Sequence, residues 1–545
     1  MVKSNKNGRG LDLSDLTAHQ QDHKNWSRRS FLQTIGMAGG LGLGLGGFGL
    51  TALGSVPLAL ATATSTNDRI LVLIRLKGGN DGLNTIIPVF DYSRYKNNRP
   101  TIAIPQTDLI GLGNNNKFAI PKSMSKIKPL WDEGKMKIIN SVGYPDHNLS
   151  HFTSSDIWNS ANQNIESDMD KSGWLGRFLL DRNPDYLENL PEVPGAIKVS
   201  SGSSITYHTA DRIDLAVNFN TPDKLIEVAE KGFVYDTANL PDECYYGEQV
   251  GYLRSILNIT YKYAPAISQA YSGAVNSVAY SNNELSRQLA IVARLIKGNL
   301  GTKLYMVTLD GFDTHENQNV NHPRLLNDVS AAISEFYADL AIGQKDNDVL
   351  SMTFSEFGRR PKENDGGTDH GAAAPVMFFG PALDGNAVFG KDPDLGELDP
   401  VGNLKHDTDF RSIYATLLES WLCIEASAVD NILGDTYERI PQLGFDCTGV
   451  NSTQNVLSQS IKHKVVSNSD GSYTVAYELL RPGKVIVEVY TILGQKISTL
   501  TDEYKTSGHH EALFINRQLG LSGAVYLYVI RSGQSKVSGK FFVKS

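Results

Sequence analysis

Apolar positions along the chain follow three different patterns. Between Ile70 and Trp421, short apolar runs alternate with longer stretches of helical period. The runs Ile70–Leu76, Lys137–Val142, Lys303–Leu309, Val349–Phe354 and Pro375–Phe379 have strand length and few polar interruptions. They predict strands buried on both faces of a parallel sheet. Between Pro323 and Gly343, Leu325, Leu326, Val329, Ile333, Phe336, Tyr337 and Leu340 form one stripe, which predicts a helix. Phe410, Ile413, Tyr414, Leu417, Leu418 and Trp421 predict a second, and the stretch from Asn283 to Lys297 a third. Strand–helix alternation places helices on both faces of the sheet. Residues 160–300 are less patterned and leave room for a helical insert.

From about Ser467 the period changes to two. Tyr473–Tyr477, Lys484–Tyr490, Ala524–Ile530 and Gly539–Lys544 are short alternating segments between turn residues. They predict a small Ig-like β-sandwich. The third pattern lies at the N-terminus, where Arg28-Arg29 precede a stretch without charge from Ser30 to Asn67, diluted by glycine and ending in small residues around Ala59–Ala63. This predicts a cleaved export signal, with a retained anchor as the alternative. The expected organisation is therefore a signal over 1–63, an α/β domain over 64–455, a linker over 456–466 and a β-sandwich over 467–545.

Charge sharpens this division. The chain has 51 Lys+Arg and 59 Asp+Glu, a net charge of −8. Residues 461–545 hold 11 basic and 6 acidic residues, a net +5, so the remainder carries −8 − 5 = −13. An acidic main body argues against nucleic-acid binding. With 41% hydrophobic and 20% charged residues, the chain is not a disordered polymer. Three cysteines (Cys244, Cys423 and Cys447) allow one bridge in an oxidising compartment and leave one thiol over.

Candidate chemistry sits in the loops after the strands, where α/β sheets bind their ligands. Asp81 lies in Gly78-Gly79-Asn80-Asp81-Gly82; it reads as a ligand or as a turn residue. Ser150, in Ser150-His151-Phe152, reads as a nucleophile at a helix N-terminus or as that helix's cap. Asp313 and His315, near Asp310, suit a divalent metal; the alternative is a solvated loop. Asp369-His370 supplies two adjacent ligands. His406 is a further candidate ligand or a structural histidine. Glu356 precedes Arg359-Arg360, whose forks would hold a phosphate or sulfate, unless they form a surface ion-pair cluster.

Three resemblances follow from these residues. Arg28-Arg29 with the apolar run resembles a Tat signal peptide, which implies the Tat translocase as a partner. Gly483-Lys484-Val485, Leu493-Gly494-Gln495, Leu521–Tyr526 and the Lys-rich terminal strand resemble a type IX secretion sorting domain, which implies the type IX machinery as a second partner and an extracellular or cell-surface destination by way of the periplasm. From Ile70 to Trp421, the motifs Gly78–Asn84, Ser150–Phe152, Asp310–His315, Glu356–Arg359 and Gly366–Gly371 resemble the secreted bacterial family called domain of unknown function 1501, within the alkaline phosphatase/sulfatase superfamily. That resemblance implies an alkaline-phosphatase-like α/β fold. It also implies a two-metal site for zinc, magnesium, manganese or calcium, formed by Asp81, Asp313, His315, Asp369, His370 and His406. Ser150 is the implied nucleophile, with His151 a near alternative, and Arg359 or Arg360 the oxyanion holder. The expected function is a secreted metal-dependent hydrolase of phosphate or sulfate esters. The alternative is a non-catalytic surface or binding protein on a degenerate hydrolase fold.

Overall fold

The computed structural model describes residues 68–113, 117–163, 172–187, 189–200, 204–222, 225, 227, 245–445, 447, 462–468, 472–479, 483–491, 496–506, 508–515, 524–532 and 535–543. The expected signal over 1–63, most of the linker and the motifs Leu493–Gln495 and Leu521–Gly523 lie outside the described residues. The chain divides into two compact units, with the boundary between Cys447 and Thr448.

The first unit is built on one mixed sheet. Strand β1 (Ile70–Lys77) leads into a small separate sheet of β2 (Ile87–Pro88), β3 (Leu109–Gly111) and β4 (Phe118–Pro121). The main sheet continues with β5 (Met136–Gly143), β6 (Ala196–Val199), β7 (Ala216–Phe219), β8 (Leu304–Asp310) and β9 (Val349–Phe354). A two-stranded hairpin, β10 (Gly358–Asn364) and β11 (Gly367–Gly371), precedes β12 (Ala374–Phe379), β13 (Ala387–Phe389) and β14 (Thr408–Asp409). The order across the sheet is β13-β5-β12-β9-β1-β8-β6-β7, with β14 also on β5.

The parallel sheet expected from the apolar runs needs one correction. β12 runs antiparallel to both β5 and β9, whereas β1, β8 and β9 are parallel neighbours. The reason is local: a short hairpin, not a helical crossover, separates β9 from β12, so the chain returns in the opposite direction.

Both faces of β1 are covered. Val72, Ile74 and Leu76 belong to one core cluster, with Leu285 and Leu289 of α2 (Glu284–Lys297) and Leu325, Leu326 and Val329 of α3 (Gln318–Ile342). Leu71 and Leu73 point the other way, into a cluster with Ile157 and Trp158 of α1 (His151–Ser160) and Phe410 and Tyr414 of α4 (Phe410–Thr416). A strand whose alternate residues are apolar on both sides is buried on both sides. Helix α3 begins five residues before the expected Pro323 and carries that proline inside its early turns. The added residues include Gln318 and His322, both buried.

The second unit has β15 (Lys462–Ser467), β16 (Tyr473–Leu479) and β19 (Gly508–Phe514) in one sheet. A second sheet has the order β18 (Lys496–Lys505), β17 (Gly483–Thr491), β20 (Ala524–Ser532), β21 (Ser535–Val543). All pairings are antiparallel. Val475, Tyr477, Val485, Val487, Phe514, Tyr528 and Phe541 form its core, as the period-two pattern predicts.

Candidate metal centre

Register brings the relevant loops to one end of the sheet. Lys77 at the end of β1 pairs with Asp310 at the end of β8, and Arg75 pairs with Phe354 at the end of β9. The loops Gly78–Asp81, Gly311–Asn317 and Ser355–Phe357 therefore leave the sheet together. Two glycines make the close approach possible. Gly78 has φ +121, and a Cβ there would lie 2.3 Å from the Asp313 nitrogen; Gly79 has φ +83, and its Cβ would lie 2.3 Å from the Phe357 ring. Any other residue would meet both strain and a clash.

His151, Asp313, His315 and His370 converge at this end. Asp313 Oδ1 lies 3.1 Å from His315 Nε2 and 3.2 Å from His370 Nε2, and those two nitrogens are 3.0 Å apart. Asp313 Oδ2 lies 3.3 Å from His151 Nε2. His151, Asp313 and His370 can each place a ligand atom within 4.8 Å of the others.

Partners on the far side of each ring fix what it offers the centre. His370 Nδ1 is 2.8 Å from the Leu149 carbonyl, which only accepts, so Nδ1 carries the proton. Burial pushes the His370 pKa down, leaving a neutral ring with its Nε2 lone pair turned inward. His151 Nδ1 is 3.1 Å from Glu356 Oε1, which also accepts from the Gly78 N–H at 2.9 Å. Burial pushes Glu356 up, but the bond to His151 and the charge of Arg75 hold it below the usual range as a carboxylate. That bond raises the His151 pKa, with Asp313 adding to the effect. Burial would also raise Asp313, yet the hydrogen bond and charge of Arg359 hold it at about 2. Imidazoles that donate one N–H to a carboxylate or carbonyl while aiming the other nitrogen at a shared point are typical of metal-ligating histidines. Three imidazoles and a carboxylate are a donor set for zinc and other first-row dications. His151, Asp313 and His370 form the group whose ligand atoms are all mutually close, and His315 adjoins it through Asp313 Oδ1 and His370 Nε2.

The structure gathers some of the expected residues and not others. Asp313, His315 and His370 share the centre. Asp369 stands at its rim, 3.8 Å from His315 Nδ1 and 3.0 Å from Asn364 Nδ2. Ser150 is the exposed N-cap residue of α1, and its side chain makes no capping hydrogen bond. It lies between Leu149, whose carbonyl accepts from His370 Nδ1, and His151, whose Nε2 faces Asp313.

Arg359 reaches Asp313 at 2.6 Å but is only 1% exposed. Its other bonds go to the carbonyls of Gly79 (2.8 Å), Thr368 (2.7 Å), Gly78 (2.5 Å) and Phe312 (3.1 Å). This fork ties three loops together and is turned toward backbone, not toward the opening.

Asp81 and His406 fall in no ligand group among the described residues. Asp81 is fully buried against Arg99 at 2.5 Å. His406 packs against Gly143 and is neutralised by burial, with Asp409 opposing that effect. The sequence reading did not count His151 as a ligand or Glu356 as its partner. His151 was read only as an alternative nucleophile beside Ser150, and the 205 residues between it and Glu356 conceal their contact.

Comparisons with known proteins agree with the sequence resemblance in part. Residues 266–426 match the model of a family described as a protein of unknown function, DUF1501. That match includes Asp313, His315, Glu356, Arg359 and His370, whereas Asp81, Ser150 and His151 precede it. Among solved structures, a protein of the alkaline phosphatase superfamily from Vibrio parahaemolyticus is 8% identical, with a TM-score of 0.30 over 80% of this chain and 82% of that one. An alkaline phosphatase from the Antarctic bacterium TAB5 is 10% identical, with a TM-score of 0.26 over 59% of this chain and 94% of that one. The PsFucS1 sulfatase from Pseudoalteromonas sp. is 10% identical, with a TM-score of 0.30 over 81% and 83%. No curated protein matches the sequence.

Proposed function

We propose that this protein is an exported hydrolase of phosphate or sulfate esters, dependent on a divalent cation held by His151, Asp313, His315 and His370. The observation that carries this reading is the convergence of three imidazole nitrogens on one carboxylate, with the outer nitrogens of His151 and His370 already committed. When bound, a dication supplies Lewis-acid polarisation of an ester oxygen. The chain's own residues supply the rest. Ser150 offers an uncapped hydroxyl at the start of α1, where the unpaired N–H groups of the first turn favour negative charge. Arg359 holds the Asp313 carboxylate in place. Arg360, with a third of its side chain exposed and 4.0 Å from Asp369, is the arginine with donors to offer an anionic ester.

Export is supported by Arg28-Arg29 and by the disulfide Cys423–Cys447, since such bonds persist in oxidising compartments. Among the described residues no helix is long and apolar enough to cross a membrane. The C-terminal unit is proposed as the sorting domain read by the type IX machinery.

A second reading has its own support. Because the Arg359 fork is directed at backbone carbonyls, the same site could hold an anionic group without turning it over. Assays of the protein on aryl phosphates, phosphodiesters and aryl sulfates, with zinc, manganese, magnesium and calcium each supplied, separate the two. The hydrolase reading expects turnover that falls by about two orders of magnitude or more in Ser150→Ala. Cation binding without turnover on any ester would favour the binding protein. Activity retained in Ser150→Ala would exclude the serine as nucleophile, and loss in His151→Ala with cation content unchanged would move that role to the histidine.

A further inference from the structure

We infer that Asp81 is a positioning residue and not a ligand, that the chain holds a single cation, and that a buried relay Arg99–Asp81–Gln318 sets the spacing of the two loops that carry the centre. The inference rests on the cation reading above. Asp81 Oδ1 accepts from the Leu83 N–H at 3.2 Å, and Oδ2 accepts from Arg99 Nη1 at 2.5 Å and from the Gln318 amide. Arg99 is itself 0% exposed; its other bonds go to Asn84 Oδ1 (2.7 Å), the Pro361 carbonyl (2.8 Å) and the Arg360 carbonyl (2.9 Å). A guanidinium thus already occupies the place where a second cation would have to meet this carboxylate. Two positive charges at such range in a dry interior repel strongly.

Gln318, 1% exposed, passes the constraint on. An ionised Asp81 only accepts, so the Gln318 amide must turn its NH2 toward Asp81 and its Oε1 the other way. That oxygen accepts from both Thr314 Oγ1 (3.1 Å) and Thr368 Oγ1 (2.8 Å). Thr314 lies between Asp313 and His315, and Thr368 directly precedes Asp369 and His370. One carbonyl oxygen therefore spans the two segments whose side chains must meet at 3.0–3.2 Å. Backbone bonds from Thr368 to the Thr314 carbonyl (3.1 Å) and from Gln318 to the Gly366 carbonyl (3.0 Å) join the same segments.

The test is cation binding by the full chain, with stoichiometry from elemental analysis after dialysis against zinc chloride and Kd from calorimetry with manganese chloride. Wild type is expected to bind one equivalent. Thr314→Val combined with Thr368→Val removes both hydroxyl donors with little change of shape, and should weaken Kd about tenfold or more at unchanged stoichiometry. Serine at both positions restores the donors and should restore Kd. Asp81→Asn leaves the Arg99 charge uncompensated and risks unfolding, so Gln318→Met serves as the second variant, with the same expected loss. Two equivalents in wild type, one of them lost in Asp81→Asn, would make Asp81 a ligand and overturn the inference. Unchanged Kd in both the double valine variant and Gln318→Met would overturn the positioning role. A wild-type chain that binds no cation would instead overturn the reading on which the inference rests.

Discussion

At the scale of single residues, the site depends on what each side chain has left to offer once its other contacts are made. Arg359 shows this most clearly, because five acceptors take up its fork. Arg359→Lys keeps the charge but cannot reproduce the fork. It should cost about 3 kcal/mol of stability and loosen Asp313, measured by urea unfolding and by cation affinity. A fall in turnover with stability and affinity unchanged would instead return Arg359 to a direct role on the substrate. Asp214 gives a pH prediction remote from the centre. Burial raises its carboxyl, but Lys198 at 2.5 Å and His208 hold it at about 2, against 3.8 for the free group. The folded value is the lower one, so this stabilisation is complete above about pH 4 and is lost as pH falls through about 2. Unfolding of wild type and Asp214→Asn should therefore differ by on the order of 2 kcal/mol at pH 6 and converge toward pH 2. Asp313, His315 and His370 were singled out in the sequence because Asp and His in loops after apolar strands suit a metal, and the structure brings the three side chains together. His151 was half legible, named as an alternative nucleophile and not as a ligand. Arg99 and Gln318 were not legible. A buried polar network depends on contacts between residues as far apart as 237 positions, which no local pattern encodes.

At the scale of elements, the strands β1, β5, β8, β9 and β12 were readable because burial on both faces leaves unbroken apolar runs. The direction of β12 was not, since an apolar run carries no sign of its orientation. The early start of α3 was hidden by Pro323, which as a rule marks the first turn of a helix. The turn after β1 is the element on which the site's geometry depends most. Gly78→Ala places a Cβ on the Asp313 backbone in a conformation that alone costs about 1–3 kcal/mol. It should lower the unfolding midpoint and weaken cation binding together. A variant with wild-type stability and affinity would mean that the turn does not hold the Asp313 loop.

At the scale of the whole molecule, the charge asymmetry and the change from helical to two-residue period led to an expected boundary at a linker over 456–466, and the two compact units divide between Cys447 and Thr448. The disulfide Cys423–Cys447 closes a span of 24 residues at the end of the first. Reduction should cost that unit about 3 kcal/mol, seen as a lower unfolding midpoint with reductant present. A midpoint indifferent to reductant would show that the bond adds no stability. The central claim is that His151, Asp313, His315 and His370 hold one divalent cation, and anomalous diffraction from crystals grown with zinc or manganese tests it most directly. The account predicts a single strong peak about 2 Å from the facing nitrogens and the Asp313 carboxylate. No peak there at full occupancy of the cation in solution, or a peak seated on Asp81, would contradict it.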